Sequence, residues 1–371
     1  MRFIQTIFKS IDWWLISAVF LLTLLGLVTM YTFDGDNFYF ERQIWWITLA
    51  LGGLFLSIIP DYRFLRLGNT TFYLYLLTIV ALVLVLFVGD TVKGAQSRFN
   101  LGLFSLQPAD PAKLVLIIVM AKYFSKRHEL IGDFRHIFVS GVYALGIFGL
   151  VLIQPDFGSA IILFSVWFGM VLVAGIKFRH LAIVFGLGVI SFVLMWQFVF
   201  MQYQKDRIMT FLHPLADIQD TGYNAYQSTI AVGSGQIWGK GVGYGTQSKL
   251  EFLPEYETDF IFAAFAEEWG LVGVIMLFSL FGVVIFRLLT HALRGATNFE
   301  RLFAVGVSIL FISHFLIHIG MNIGLLPVTG TTVPFLSYGG SHLLTEFLGV
   351  GMVIAMGRYT RRQYTAKEFI D

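Results

Sequence analysis

Ten apolar runs of roughly spanning length divide the chain, near residues 13–33, 43–60, 70–89, 111–126, 137–153, 158–175, 181–202, 260–286, 302–322 and 342–357. Several fall short of the ~20 residues that cross a bilayer as a helix, so tilted or snorkelling ends are expected to complete them. The pattern predicts an all-α polytopic membrane protein of about ten transmembrane helices, organised as a single transmembrane domain over residues 1–371. The run opened by Pro111 is the most crowded, with Lys113 and Lys122 inside it. One connection differs from the rest: residues 203–258 form a long segment rich in Gly, Tyr, Gln and charge, between the seventh and eighth runs. Loops of that length in a compact fold are usually functional or disordered. No internal repeat of the transporter kind is visible, and no low-complexity tail.

Charge sets the direction of these helices. With the N-terminus in the cytoplasm, the inside connections hold Arg63, Arg66, Lys126, Arg127, Arg135, Lys177, Arg179, Arg287, Arg294 and Arg301, and the tail adds Arg358, Arg361, Arg362 and Lys367. The outside connections hold Asp34, Asp36, Glu41, Asp90, Asp110, Asp156, Asp217, Asp220, Glu251, Glu255, Glu257 and Asp259. Every short loop then obeys the positive-inside rule, which puts both termini in the cytoplasm and the 203–258 loop outside it. Composition agrees. The 371 residues are 57% hydrophobic and 13% charged, with a mean hydropathy of +0.76, more apolar surface than a soluble fold can hide. The 39 Phe and 8 Trp suit lipid-facing surfaces and interfacial belts, as with Trp13, Trp14, Trp45 and Trp46 at run ends. The net charge of +2 says little about partners, and no nucleic acid is expected. The absence of cysteine excludes disulfides and thiolate sites. The first run is too long for a cleaved signal peptide and lacks an A-x-A-like exit, so it is expected to stay as an anchor.

Four polar segments fall on the external side in this topology: Lys93–Lys113, Gln154–Ser159, the loop from Gln204 to Phe262, and Asn322–Ser341. Their convergence on one face suggests one site, although external loops must be polar somewhere. Asp259 stands where the long loop becomes a membrane helix. Thr258 and Asp259 suit a helix N-terminus, where a carboxylate meets the positive end of the dipole. Equally, a partly desolvated carboxylate at the membrane surface can take a proton from an incoming hydroxyl. Asp110 and Lys113, three apart at a helix start, can pair on one face. Arg98 and Lys113 are alternatively placed to hold a pyrophosphate. Asp156 follows Pro155 at a tight turn and could cap the next helix. Gly239–Gly245 resembles a phosphate loop only superficially and reads as a flexible turn. Glu267, Glu268 and Glu346 fall within apolar helices, where an ionised group needs a partner. His314 and His318 share a helix face, which favours a hydrogen bond over a metal because no third ligand is near; Glu346 is the expected partner of that face.

The run Leu250–Phe262, followed by Ala266-Glu267-Glu268-Trp269-Gly270-Leu271, resembles the signature of the shape, elongation, division and sporulation (SEDS) family. So do Lys93-Gly94-Ala95-Gln96, Gln107-Pro108, Gln154-Pro155-Asp156 and Pro334–Ser341. These matches recur in order from about residue 90 to residue 341, and Gln247–Phe252 is more similar to the elongation (rod-shape-determining) branch than to the division branch. The resemblance implies a ten-helix peptidoglycan glycosyltransferase that polymerises lipid II in the bacterial inner membrane. The family's essential loop acid corresponds to Asp259 and its acid–lysine pair to Asp110 and Lys113. The acid of that pair is Asp where Glu is usual, Pro111 follows it, His318 stands where Asn is frequent, and Thr331-Thr332 replaces a more apolar stretch.

On this reading Asp259 is a general base for the acceptor hydroxyl, with undecaprenyl pyrophosphate as leaving group. Arg98, Lys113 or Arg207 would neutralise the pyrophosphate, and a divalent cation (Mg or Mn) is a further expected helper. Asp110, Asp156, Glu257 and Ser337 complete the expected substrate-binding set. Expected partners are lipid II, membrane lipids, a class B penicillin-binding transpeptidase and other elongation proteins. The rival readings are a flippase for lipid-linked precursors, which the buried acids keep open, and a non-catalytic scaffold.

Overall fold

The computed structural model describes residues 11–31, 38–92, 95–100, 105–127, 134–198, 200–213, 222–250 and 252–368. Asp34, Asp36, Lys93, Gly94, Asp217, Asp220 and Glu251, together with 101–104 of the Lys93–Lys113 segment, lie outside the described residues. In chain order the helices are α1 (Trp13–Tyr31), α2 (Phe38–Ile58), α3 (Arg63–Leu67), α4 (Thr70–Val88), α5 (Ala109–Ser125), α6 (Phe134–Ile153), α7 (Phe157–Ala174) and α8 (Phe178–Phe198). They continue as α9 (Gln202–Leu212), α10 (Tyr223–Ser234), α11 (Thr246–Lys249), α12 (Ile261–Arg294), α13 (Asn298–Asn322) and α14 (Gly340–Glu368). Each of the ten apolar runs coincides with one of these helices. Eight are long and apolar enough to cross a membrane: α1, α4, α6, α7, α8, α12, α13 and the Gly340–Arg358 part of α14. Of the other two, α2 carries Glu41 and Arg42 near its start, and α5 is 17 residues long.

The surface is that of a protein solvated by lipid. Trp14, Phe87, Phe178 and Leu293 are 75%, 78%, 83% and 83% exposed, while Asp110, Lys113, Glu267 and His318 are buried. The chain is a polytopic, multi-pass membrane protein. Its core forms where α14 packs along α2 and against α5, and where α13 packs on α5, α7 and α12. Helix α8 stands apart with most of its residues exposed, and a mostly apolar cavity of about 430 Å³ separates it from α6 and α7, lined by Phe148, Trp167, Leu187 and Phe192 among others.

Local chemistry explains the helix ends that matter. Asp156 caps α7 by accepting from Ser159 N at 3.0 Å, and Gly175 closes the helix in the left-handed region at φ 101°. Thr297 and Glu300 form a capping box at the start of α13. Pro111 is the third residue of α5, where its missing N–H would have had no intrahelical partner.

Three features go beyond the reading of the sequence. The fold is not wholly α: β1 (Asp90–Val92), β2 (Ala95–Asn100) and β3 (Ser105–Leu106) form a small antiparallel sheet leading into α5. The long connection is built rather than open, since it contains α9, α10 and α11, with α10 packed on α12 and α13. Finally, α12 is broken at Gly270 (φ 62°, ψ −166°), a conformation that is essentially glycine's own. There the loop supplies the missing acceptors: Leu271 N donates to Gln236 O at 2.9 Å and Val272 N to Ile237 O at 3.1 Å. Residues 261–268 are buried on every side, whereas Leu271, Val272, Ile275 and Phe286 beyond the break face outward.

Candidate active site

The polar segments meet at one end of the bundle. Asp259 closes a turn whose backbone folds on Glu255, with Asp259 N donating to Glu255 O at 3.0 Å. The carboxyl is half-buried and faces Gly330: a Cβ added there would lie 3.4 Å from Oδ2. Gly330 is exposed with φ 70°, so this side of Asp259 opens outward. The 333–338 turn docks on the same loop. The Ser337 hydroxyl donates to Thr258 O at 3.0 Å and accepts from Val333 N at 2.9 Å, while Tyr338 N donates to Glu257 O at 2.9 Å. Glu257 is buried and hydrogen-bonded by Tyr39. Burial pushes the Tyr338 phenol up despite a hydrogen bond to Arg42 and the nearby charge of Arg98.

The start of α5 brings in the second group. Lys113 Nζ lies 3.0 Å from Asp110 Oδ1, both almost fully buried. The pair therefore forms with Asp in place of Glu and with Pro111 between its members. Next to it, His342 Nε2 lies 2.7 Å from Glu346 Oε1 and His342 Nδ1 is 3.8 Å from Asp110. Glu346 also accepts from Phe335 N at 2.9 Å. A buried polar chain thus runs from Lys113 to the 333–338 turn. Gln107 ties the neighbouring elements, donating to Asp156 Oδ2 at 2.7 Å and exchanging 3.3 Å hydrogen bonds between its main chain and the Ser341 hydroxyl.

The sequence-predicted residues separate into classes. Asp259, Glu257 and Ser337 belong to one hydrogen-bonded unit, and Asp110 and Lys113 join it through His342 and Glu346. Arg98 is exposed on β2, near Tyr338. Arg207 is exposed on α9 and lines a small cleft with Phe157 and Thr329, next to Gly330. Asp156 spends both oxygens on Ser159 and Gln107, which fits a cap better than a ligand contact. The partner expected for the histidines is corrected: Glu346 pairs with His342, while His314 and His318 donate from Nδ1 to Thr332 O and Thr331 O at 3.1 and 2.6 Å. Sequence reading missed Tyr39, His342 and Asn322. The only signal for Asn322 was a polar residue closing an apolar run.

Glu267 and Glu268 are structural. Fully buried Glu267 takes Lys240 at 2.6 Å and the N–H groups of Thr246 and Gln247 at 2.9 and 3.1 Å; Glu268 takes Gly243 N at 3.0 Å. The Gly239–Gly245 segment winds around these two carboxylates. Among the described residues, no group of three His, Cys, Asp or Glu converges to hold a metal.

A family model described as cell cycle protein, FtsW/RodA/SpoVE, matches residues 4–362. The chain is 34% identical over 370 residues to a probable peptidoglycan glycosyltransferase FtsW of Thiomicrospira cyclica, covering 95% of this chain and 93% of the relative. It is 37% identical over 295 residues to the peptidoglycan glycosyltransferase MrdB of Escherichia coli, covering 80% and 79%. Among solved structures, a chain from a study of the structural coordination of polymerization and crosslinking by a peptidoglycan synthase complex aligns with TM-score 0.80 and 30% identity, covering 94% of this chain and 98% of that one. The rod shape determining protein RodA of Thermus thermophilus aligns with TM-score 0.70 and 29% identity, covering 94% and 96%. The chain belongs to the FtsW/RodA/SpoVE family of cell cycle proteins.

Proposed function

We propose that this protein is a peptidoglycan glycosyltransferase of the elongation type, polymerising lipid II at the outer face of the bacterial inner membrane. The observation that carries this is the half-buried Asp259 carboxyl, opening past Gly330 at the end of the bundle that also gathers Lys113, Arg98 and Arg207. A base beside cations is what transfer from a diphosphate-linked sugar requires. Asp259 takes the proton of the acceptor 4-hydroxyl while that oxygen bonds to the donor's anomeric carbon. The carbon–oxygen bond to the diphosphate breaks with inversion, and undecaprenyl pyrophosphate leaves with the electron pair.

Arg98 and Arg207, both exposed, are the groups best able to meet the diphosphate directly. Lys113 is paired with Asp110, so it acts on the leaving group through field or after a local rearrangement. Glu257 and Ser337 hold the turn that carries Asp259, and Asp156 holds the neighbouring α7 terminus. A cation such as Mg or Mn would come with the diphosphate, as part of the substrate. The apolar cavity beside α8 suits prenyl chains that stay in the bilayer. A class B penicillin-binding transpeptidase is the expected partner, in line with the synthase complex among the structural relatives. The flippase reading loses its main support, because Glu267, Glu268 and Glu346 each serve a backbone or side-chain partner.

The test is polymerisation of labelled lipid II by purified protein, with and without the transpeptidase, comparing wild type with Asp259→Asn. Glycan chains from wild type alone are expected. Chains from a folded Asn variant would remove Asp259 from its role, and none from either protein would favour a flippase or scaffold.

A further inference from the structure

We infer that Asn322 is a positioning residue for the transfer reaction, fixing Asp259 through the main chain; this rests on Asp259 being the base. Asn322 is the last residue of α13 and is fully buried. Its Nδ2 donates to Asp259 O at 3.0 Å and to His318 O at 2.9 Å. Its Oδ1 accepts from Ala263 N at 3.2 Å and from the Ser228 hydroxyl at 3.3 Å, and the same hydroxyl donates to Asn322 O at 2.9 Å. One amide therefore joins the Asp259 turn, the first turn of α12, the middle of α10 and the end of α13.

The donor and acceptor halves of that amide do different things. Ala263 N is one of the first N–H groups of α12 and has no intrahelical carbonyl to reach, so Oδ1 works as a cap supplied from another helix. Asp259 precedes α12, and its carbonyl is held by Nδ2. With one side chain gripping both sides of the joint, the backbone at Asp259 cannot rotate without breaking a buried hydrogen bond. The other wall of the opening is held by the same helix. His318, one turn earlier, donates to Thr331 O at 2.6 Å and so steadies the segment that carries Gly330. The separation between the Asp259 carboxyl and that wall is thus set by two side chains one turn apart on α13. A base displaced by about 1 Å loses on the order of 100-fold in rate, so this clamp acts on turnover more than on binding.

The experiment is steady-state polymerisation of labelled lipid II by the full-length protein, as a function of substrate concentration and pH, normalised to the folded fraction by size-exclusion chromatography. Asn322→Asp keeps the shape and the Oδ1 acceptor but removes the Nδ2 donor. Asn322→Ala removes both. Ser228→Ala loosens the clamp without touching Asp259 and provides a variant that keeps Asn322 itself. The expected result is a fall in kcat of tenfold or more for both Asn322 variants and of two- to fivefold for Ser228→Ala. KM for lipid II should stay within about twofold, and the acid limb of the kcat profile should shift. A residue serving only stability would lower the folded fraction and leave kcat per folded molecule and its pH profile unchanged; that result overturns the proposal, including when Ser228→Ala alone folds. Asp259→Asn is run alongside. If it is inactive and the folded Asn322 variants turn over normally, the positioning role fails alone; if it is active, the base assignment fails and takes this proposal with it.

Discussion

The Ser337 hydroxyl donates to the carbonyl of Thr258 at 3.0 Å, across 79 residues of sequence and one residue before the candidate base. Because Ser337 also accepts from Val333 N, it holds its own turn and the Asp259 turn together. Ser337→Ala should cost about 1–3 kcal/mol, since a buried N–H loses its acceptor and Thr258 O its donor. Thermal unfolding in detergent measures that cost. Lipid II polymerisation should fall by about tenfold, and unchanged activity would mean that the turn keeps its place without this bond.

The Asp110–Lys113 pair separates stability from chemistry. Lys113→Met alone strands a buried carboxylate and should destabilise by about 3–5 kcal/mol. Adding Asp110→Asn should recover most of that loss, because a neutral pair no longer needs its counter-charge. Polymerisation should remain below a tenth of wild type in both. Full activity in the stable double variant would show that the ammonium does not act on the diphosphate.

Glu267 anchors the loop that carries α11. Glu267→Gln weakens the acceptor for Lys240, Thr246 N and Gln247 N, so amide exchange at Thr246 and Gln247 should accelerate about tenfold, equivalent to ~1.4 kcal/mol. Hydrogen exchange read by mass spectrometry gives the answer directly. A variant with wild-type protection would assign the loop's order to its backbone bonds with α12.

At the other end, Asp12 caps α1 by accepting from Leu15 N and binds Arg287 and His291 of α12 at 2.7 and 2.9 Å. Burial alone would raise its pKa, but the hydrogen bonds from His291 and Arg287 outweigh burial and hold it near about 2, against an ordinary 3.8. A carboxyl with a depressed folded pKa gives stability that is complete above its unfolded value and lost as pH falls through the folded one. Asp12→Asn should therefore lower the Tm at pH 5–7. The gap to wild type should begin to close below about pH 4 and vanish only below about pH 2. A gap that stays constant across this range would trace the loss to packing rather than charge.

Much of this molecule is legible in its residues, because membrane helices announce themselves by length and hydropathy. The same holds for the Asp110–Lys113 pair, where spacing on a helix is enough. Tertiary partners are harder to read. Glu267 and Glu268 keep a flippase reading open in the sequence because a sequence does not display the backbone N–H groups that surround a carboxylate. Helices α9 to α11 lie in a polar stretch with no apolar run to mark them, and α10 is ordered by packing on α12 and α13. Asn322 carries no motif chemistry of its own; its importance lies in what four separate segments present to it.

The break at Gly270 bears on how the protein is made. The insertion machinery sorts nascent chain by hydrophobicity, and residues 261–294 offer it a stretch that as one straight helix would measure about 51 Å, against a hydrocarbon core of about 30 Å. Glu267 and Glu268, next to Gly270, and Arg287 and Arg294 at the far end bound the apolar part of that stretch. The break itself is held by Gln236 and Ile237, whose carbonyls receive Leu271 and Val272 and let the preceding residues turn back into the protein. The break at Gly270 is therefore closed by carbonyls of a segment that precedes this helix in the chain, so the helix takes its final shape only together with that segment.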